Sequence, residues 1–237
     1  MSENANSAPR GRGRPRRSEG AVLTLEAILQ RGLEIAGAEG FPALTMNRLA
    51  RDFEVSPKAL YNHVDSRQDV VDGVAALIMQ SIPAPQLDAT NWKDSLRTAY
   101  REGREAYRRF PRATLISLDE TVTPGEIDPS RILLAEHTLQ FFVDLGLTLE
   151  QAITARNSFL LDLFSFTLMI DYRYDSSPAP VREAITQPVP RIWLEALPDV
   201  AAPHSREAAT LPTPDSDTMF ERLVDMRIAA ISALLTS

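Results

Sequence analysis

The chain has 237 residues, 44% of them hydrophobic, enough to bury a substantial core in one large domain or in a small module and a larger partner. It has no cysteine, which excludes disulfides, thiolate catalysis and Cys-ligated zinc together. The net charge of −7 is unevenly spread, because Met1–Arg67 holds ten Lys/Arg against eight Asp/Glu and the rest carries −9, so the total does not exclude a polyanionic partner for the N-terminal part.

Residues 1–20 are polar and charged without apolar periodicity, which predicts a disordered Arg-rich arm rather than a secretory signal. Within it, Arg12-Gly13-Arg14-Pro15 resembles the core of an AT-hook. There glycine lets the backbone enter a narrow minor groove, and the guanidiniums of Arg12 and Arg14 meet its negative potential. Thr24 predicts the cap of a helix to about Glu39, with Leu25, Ile28, Leu29, Leu33 and Ile35/Ala36 as its buried stripe. Gly40 closes it, and Phe41-Pro42 turns the chain. Thr45 opens a short helix, Met46–Phe53. Ser56 before Pro57 starts a third, a capping oxygen followed by proline at the first helical position. Ser66 with Asp69 three residues on has the capping-box pattern for a fourth helix, about 66–80.

Ile82-Pro83-Ala84-Pro85 is the strongest boundary, separating 21–82 from 83–237. Beyond it, helices are predicted over Trp92–Phe110, Pro111–Leu118, Pro129–Leu145 and Thr148–Tyr174. The Pro/Ala/Ser-rich stretch 175–216 is given one short helix, about Pro190–Leu197, and a last amphipathic helix runs from about Ser216 to Thr236. No β-alternation with turn chemistry appears, so the expected fold is all-α. The greasiest run, Phe159–Ile170, is interrupted by Asp162 and falls short of the ~20 residues of a membrane span. No membrane partner is expected, and a cytoplasmic location is.

Leu44–Val64 reads as helix, tight connection, helix, the arrangement whose second helix enters the major groove of double-stranded DNA. With Leu60 at 0° and ~100° per residue, Val64 and Pro57 define the inward face of a reading helix at about 56–64. Lys58 and Asn62 then project oppositely, into the groove. Lysine can donate to guanine O6/N7 and asparagine can pair with adenine N6/N7. Tyr61 and His63 flank this face, where phosphates run. Ser56 can donate to a phosphate at the helix start.

These residues, Leu44-Thr45-Met46-Asn47-Arg48-Leu49-Ala50 through Val55-Ser56 to Leu60-Tyr61-Asn62-His63-Val64, followed by Asp65-Ser66-Arg67, resemble the TetR family of transcriptional regulators. The His-Val ending is similar to its tetracycline-repressor-like branch. The resemblance implies that Thr45, Tyr61, His63 and Arg67 hold phosphates, that Pro57, Lys58, Ala59 and Asn62 face bases, and that Asn47 reaches a base from the preceding helix. Where the family commonly has glycine in the turn, this chain has Glu54. A positive φ there would cost on the order of 1 kcal/mol.

In the larger part, a helix apolar nearly all round from Phe159 onward must be buried on more than one face, and the last helix is similarly broad. Phe159, Leu163, Phe166 and Ile170 with Leu223 and Ile231 are the candidate interface of a homodimer, two helices from each protomer about a two-fold axis. The resemblance implies the same arrangement, and a cavity whose filling by a small-molecule effector shifts the fourth helix. Tyr100, Tyr107, His137, Phe141, Asn157 and Asp162 are the candidate pocket residues. The Arg97, Arg101, Arg104, Arg108 row, interleaved with Glu102 and Glu105, reads as a solvated salt-bridged face. No nucleotide motif, metal-ligand spacing or Glu-x-x-His pair occurs, so neither enzyme activity nor a cofactor is expected. The expected function is a repressor released from a palindromic operator by its effector. The alternatives are a small-molecule-binding helical protein without DNA function and an architectural AT-hook-type DNA binder.

Overall fold

A computed structural model describes residues 23–113, 116, 120–121 and 129–236. The arm at 1–20 and half of the helix expected at Pro111–Leu118 therefore lie outside the described residues. What is described is helical, without strands. The helices are α1 (Leu25–Glu39), α2 (Met46–Asp52), α3 (Pro57–Leu60), α4 (Arg67–Ser81), α5 (Trp92–Arg109), α6 (Ser130–Asp144), α7 (Leu149–Phe166), α8 (Tyr172–Ser176), α9 (Ala179–Thr186), α10 (Arg191–Ala196), α11 (Pro203–Ala208) and α12 (Ser216–Leu234).

Local chemistry sets most of these bounds. The hydroxyls of Thr24, Thr45 and Thr148 accept from the backbone amides of Ala27, Arg48 and Gln151, capping α1, α2 and α7. Ser66 and Asp69 form the full capping box of α4. The Ser56 side chain makes no such bond; proline at the first helical position starts α3 instead, since its fixed φ needs no amide partner there. Residues 175–216 hold three short helices, α9, α10 and α11, rather than one; the first and last begin with proline near their first turn.

Two apolar cores result. Ile28, Leu33, Ile35, Phe41, Leu44, Leu49, Leu60, Val64 and the α4 valines form the first, while Leu25, assigned to the same stripe, stands 47% exposed. The second gathers α5, α6, α7 and α12 around Tyr100, Phe142, Leu163 and Phe220. Phe110 and Ala113, at the end of α5, belong to the first core, so the larger part keys into the smaller one. Gly37 makes room for this: a Cβ there would lie 2.9 Å from Phe110 Cδ1.

The α7 run ends in a π-helical turn, Thr167–Asp171, before α8. Leu149–Ser176 is thus a longer continuous helix than Phe159–Ile170; its most apolar 18-residue stretch has a mean hydropathy of 1.2, and by length and composition alone it could cross a membrane. Its buried carboxylates argue for a core helix instead. Asp171 is held by Arg104 at 2.7 Å and Asp162 by Arg227 at 2.6 Å, one arginine from α5 and one from α12.

Candidate functional site

The turn into α3 is a Schellman motif. Val55 N donates to Ala50 O (2.9 Å) and Glu54 N to Arg51 O (3.1 Å), with Glu54 at φ 54°, the one non-glycine residue at positive φ among those described. The same bond pattern ends α6, where Gly146 at φ 105° takes that place. Glycine is favoured there because a Cβ crowds the following carbonyl.

α3 is short: regular helix covers Pro57–Leu60, and Asn62 and His63 close it with bonds from their amides to Ala59 O and Leu60 O. Leu60 and Val64 are buried, while Lys58, Tyr61, Asn62 and His63 are exposed and Ala59 is partly so. Pro57 is also exposed, a correction to its inward placement. The first residue of so short a helix lies beyond the reach of α1 and α4. It therefore shares the open face with Ser56, Lys58 and Asn62. Asn47 and Thr45 are exposed on α2. Thr45 Oγ1 accepts from Arg48 N at 3.1 Å and so keeps its own O–H for a phosphate.

Arg67 is different. Its Nε donates to Leu44 O (2.7 Å), Nη2 to Phe41 O (3.0 Å), and Nη1 and Nη2 to the Glu120 carboxylate. A guanidinium with every nitrogen engaged internally is a clamp between α4, the turn before α2 and the segment after α5, so the phosphate role does not fit it. Two other arginines of the module are similarly occupied. Arg31 and Arg48 share Asp52, and also hold Glu34 and Glu39 respectively. Lys58 has no such partner among the described residues, and Arg51 reaches Asp52 only at 3.9 Å.

In the larger part, a cavity with about 520 Å³ of empty space, part of it open to solvent, lies among α5, α6 and α7. Ile82, Pro83 and Pro85, just past the end of α4, stand in its wall. Of the six candidate pocket residues only Tyr107 lines it. His137 and Asn157 are exposed on the far sides of their helices. Phe141 packs edge-on against Phe142 in the core. Tyr100 donates to Asp162 Oδ2 at 3.0 Å, and Asp162 accepts two further bonds from Arg227. That triad is internally satisfied; burial and the Asp162 charge push the Tyr100 hydroxyl far above its ordinary range. Pocket residues not anticipated are Thr138, Arg156 and Glu102. The helical phase that turns them inward depends on partners on other helices, which periodicity does not carry.

The arginine row of α5 is likewise not a solvated face paired with Glu102 and Glu105. Arg97 and Arg101 bridge to Glu221 of α12. Arg104 is buried against Asp171, with Asp217 2.8 Å away, and Arg108 holds Asp175. Long-range partners outcompete the neighbours along the helix.

The candidate interface also needs correction. Phe159, Leu163, Phe166 and Ile231 are all buried within one chain, because α7 is phased by Asp162 and Ala152 facing inward. Ile170 and Leu223 are partly open and border a broad apolar groove with Met219 and Met226. Met226 is 73% exposed, Leu161 lies open on α7, and Met169 lies open on the π-helical turn that follows it.

The described residues thus form a short exposed helix-turn-helix joined by one helix to a larger all-α bundle with a cavity, and this arrangement defines the class of fold. Residues 84–235 match the family model for the tetracycline repressor-like C-terminal domain, and the chain belongs to the TetR family. It is 26% identical over 143 residues to the HTH-type transcriptional repressor DrrR1 of Streptomyces coeruleorubidus, covering 60% of this chain and 52% of that one. Over 138 residues it is 25% identical to the tetracycline repressor protein class E of Escherichia coli, covering 56% and 62%. The aligned stretches thus span between half and two thirds of these curated relatives. The fold is that of the Streptomyces coelicolor TetR family protein ActR, solved with actinorhodin, at TM-score 0.68 and 24% identity over 92% of this chain and 100% of that one.

Proposed function

We propose that the chain is a homodimeric repressor that reads a palindromic operator in double-stranded DNA and is released by a small-molecule effector. The observation that carries this reading is the polar face of Lys58, Tyr61, Asn62 and His63 standing open over buried Leu60 and Val64. Residues 21–82 are assigned to DNA binding, with α4 as the link, and 83–237 to effector binding and dimerisation. Lys58 and Asn62 read base edges, with Pro57, Ala59 and Asn47 beside them. Ser56, Thr45, Tyr61 and His63 hold phosphates, and Arg12 and Arg14 of the arm reach the adjacent minor groove. The interface is the open groove bordered by Ile170, Leu223 and Met226.

Release follows from the wall of the cavity. A ligand among α5, α6 and α7 presses on Ile82, Pro83 and Pro85, and so on α4, whose other end is clamped by Arg67 to the turn before α2. Differential affinity for the two positions of α4 is what couples effector to DNA. The related repressor names and the ActR–actinorhodin structure support this reading, which assigns no catalysis and a cytoplasmic location. The test is binding of the full chain to palindromic and scrambled DNA from its own promoter region across a salt series. Lys58→Ala or Asn62→Ala should lose roughly 1–3 kcal/mol of discrimination, whereas Tyr61→Phe should weaken both DNAs alike. No retention of any fragment at low salt would overturn the reading.

A further inference from the structure

The cavity among α5, α6 and α7 is apolar over most of its wall, with Leu134, Phe159, Leu160 and Leu163 facing it. Three polar groups in its wall, Tyr107, Arg156 and Glu102, have no hydrogen-bond or ion-pair partner among the described residues. Tyr107 is buried to 8% exposure, its ring edge-on to Phe164 at 4.8 Å, and its hydroxyl, which keeps some contact with the open part of the cavity, has no hydrogen-bond partner among the described residues. Desolvation pushes that hydroxyl up to about 12, opposed by the charge of Arg156. Arg156, from α7, also lines the cavity and is only partly exposed, but has no carboxylate partner. This contrasts with Arg97, Arg101, Arg104, Arg108 and Arg227 of the same domain, each of which is ion-paired.

A half-buried guanidinium without a counterion is costly, and its attraction for an anion grows as water is displaced. Glu102 is the opposing charge in the wall, but it is exposed, so solvent screens it more strongly than Arg156. Resting on the effector-binding reading above, we infer that the effector class is a flat, largely apolar ring compound carrying one acidic group. The anion pairs with Arg156 and accepts the Tyr107 O–H, while the ring system lies against Phe159 and the leucines.

The inference is tested with two probes of one skeleton: 8-anilinonaphthalene-1-sulfonate, which is anionic, and N-phenyl-1-naphthylamine, its neutral counterpart. Fluorescence titrations of the full chain should show the sulfonate bound more tightly. Arg156→Gln should weaken it roughly tenfold or more, as expected for a charge-assisted bond, and leave the neutral probe within about twofold. Tyr107→Phe should weaken the sulfonate by a smaller factor. Leu160→Trp, which fills the cavity, should abolish binding of both. Equal weakening of the two probes by Arg156→Gln, an unchanged sulfonate affinity, or binding that survives Leu160→Trp overturns the inference. Operator binding by the same variants is measured in parallel. Loss of DNA binding in the unsubstituted chain counts against the repressor reading alone.

Discussion

Glu54 and Gly146 occupy the same place in the same hydrogen-bonded motif, one with a side chain and one without. The left-handed conformation costs a non-glycine residue about 1–2 kcal/mol, and glycine loses about 0.4–1 kcal/mol through the greater freedom of its unfolded chain. Glu54→Gly should therefore stabilise the protein by about 0.5–1 kcal/mol, read as a higher urea midpoint at unchanged slope. An unchanged or lower midpoint would mean that the Glu54 side chain makes a compensating contribution. The turn was legible from the sequence at this resolution. Helix, tight connection, helix could be read over Leu44–Val64, and the family resemblance, which places glycine where this chain has Glu54, marked the strained residue. The role of Arg67 was not legible. Its three partners, Phe41 O, Leu44 O and Glu120, lie 23 to 53 residues away, beyond any local pattern.

At the scale of elements, Arg67 couples α4 to both parts of the chain. If it served as a point charge for phosphate, Arg67→Lys would preserve its function. A lysine has one nitrogen where the present geometry uses three in a planar fork. Arg67→Lys should thus lose stability nearly as Arg67→Ala does, about 1–3 kcal/mol, with both measured by thermal or urea unfolding. Retention of full stability by the lysine variant would remove the clamp. The starts of α1, α2, α4 and α7 were readable because their capping determinants sit within three residues of one another. α9 and α11 were missed because six- and eight-residue helices rich in Pro and Ala have too few turns to show a period. The phase of α7 was hidden for the opposite reason. With apolar residues almost all round, the inward side is selected by Tyr100 and Arg227 meeting Asp162, not by composition.

For the whole molecule, the open groove along α7 and α12 makes a definite demand. Met226 stands 73% exposed and Leu161 65%, and an isologous interface repeats each contact about its axis. Met226→Glu puts a carboxylate into the apolar contact twice, once on each side of the axis. It should shift the sedimenting species toward monomer and weaken operator binding, since two half-sites are then no longer held in register. A dimer that persists with unchanged dissociation would place the interface elsewhere.

The arginines locked into ion pairs also shape how the chain finds its target. Residues 23–82 carry five Lys/Arg against eight Asp/Glu, a net of −3, and Arg31, Arg48 and Arg67 are spent internally. Among the described residues, the folded reading module is therefore left with few free cations, Lys58 and the loosely paired Arg51, beside its neutral phosphate-binding groups. The five arginines of residues 1–22 are left to provide the loose, sequence-tolerant grip that one-dimensional sliding requires. On the proposed function, search and recognition are divided between two parts of the chain. A truncation lacking residues 1–20 should keep its preference for the operator over other DNA while dwelling more briefly on every sequence in single-molecule tracking. Unchanged dwell times on non-operator DNA would show that the folded module supplies the grip itself.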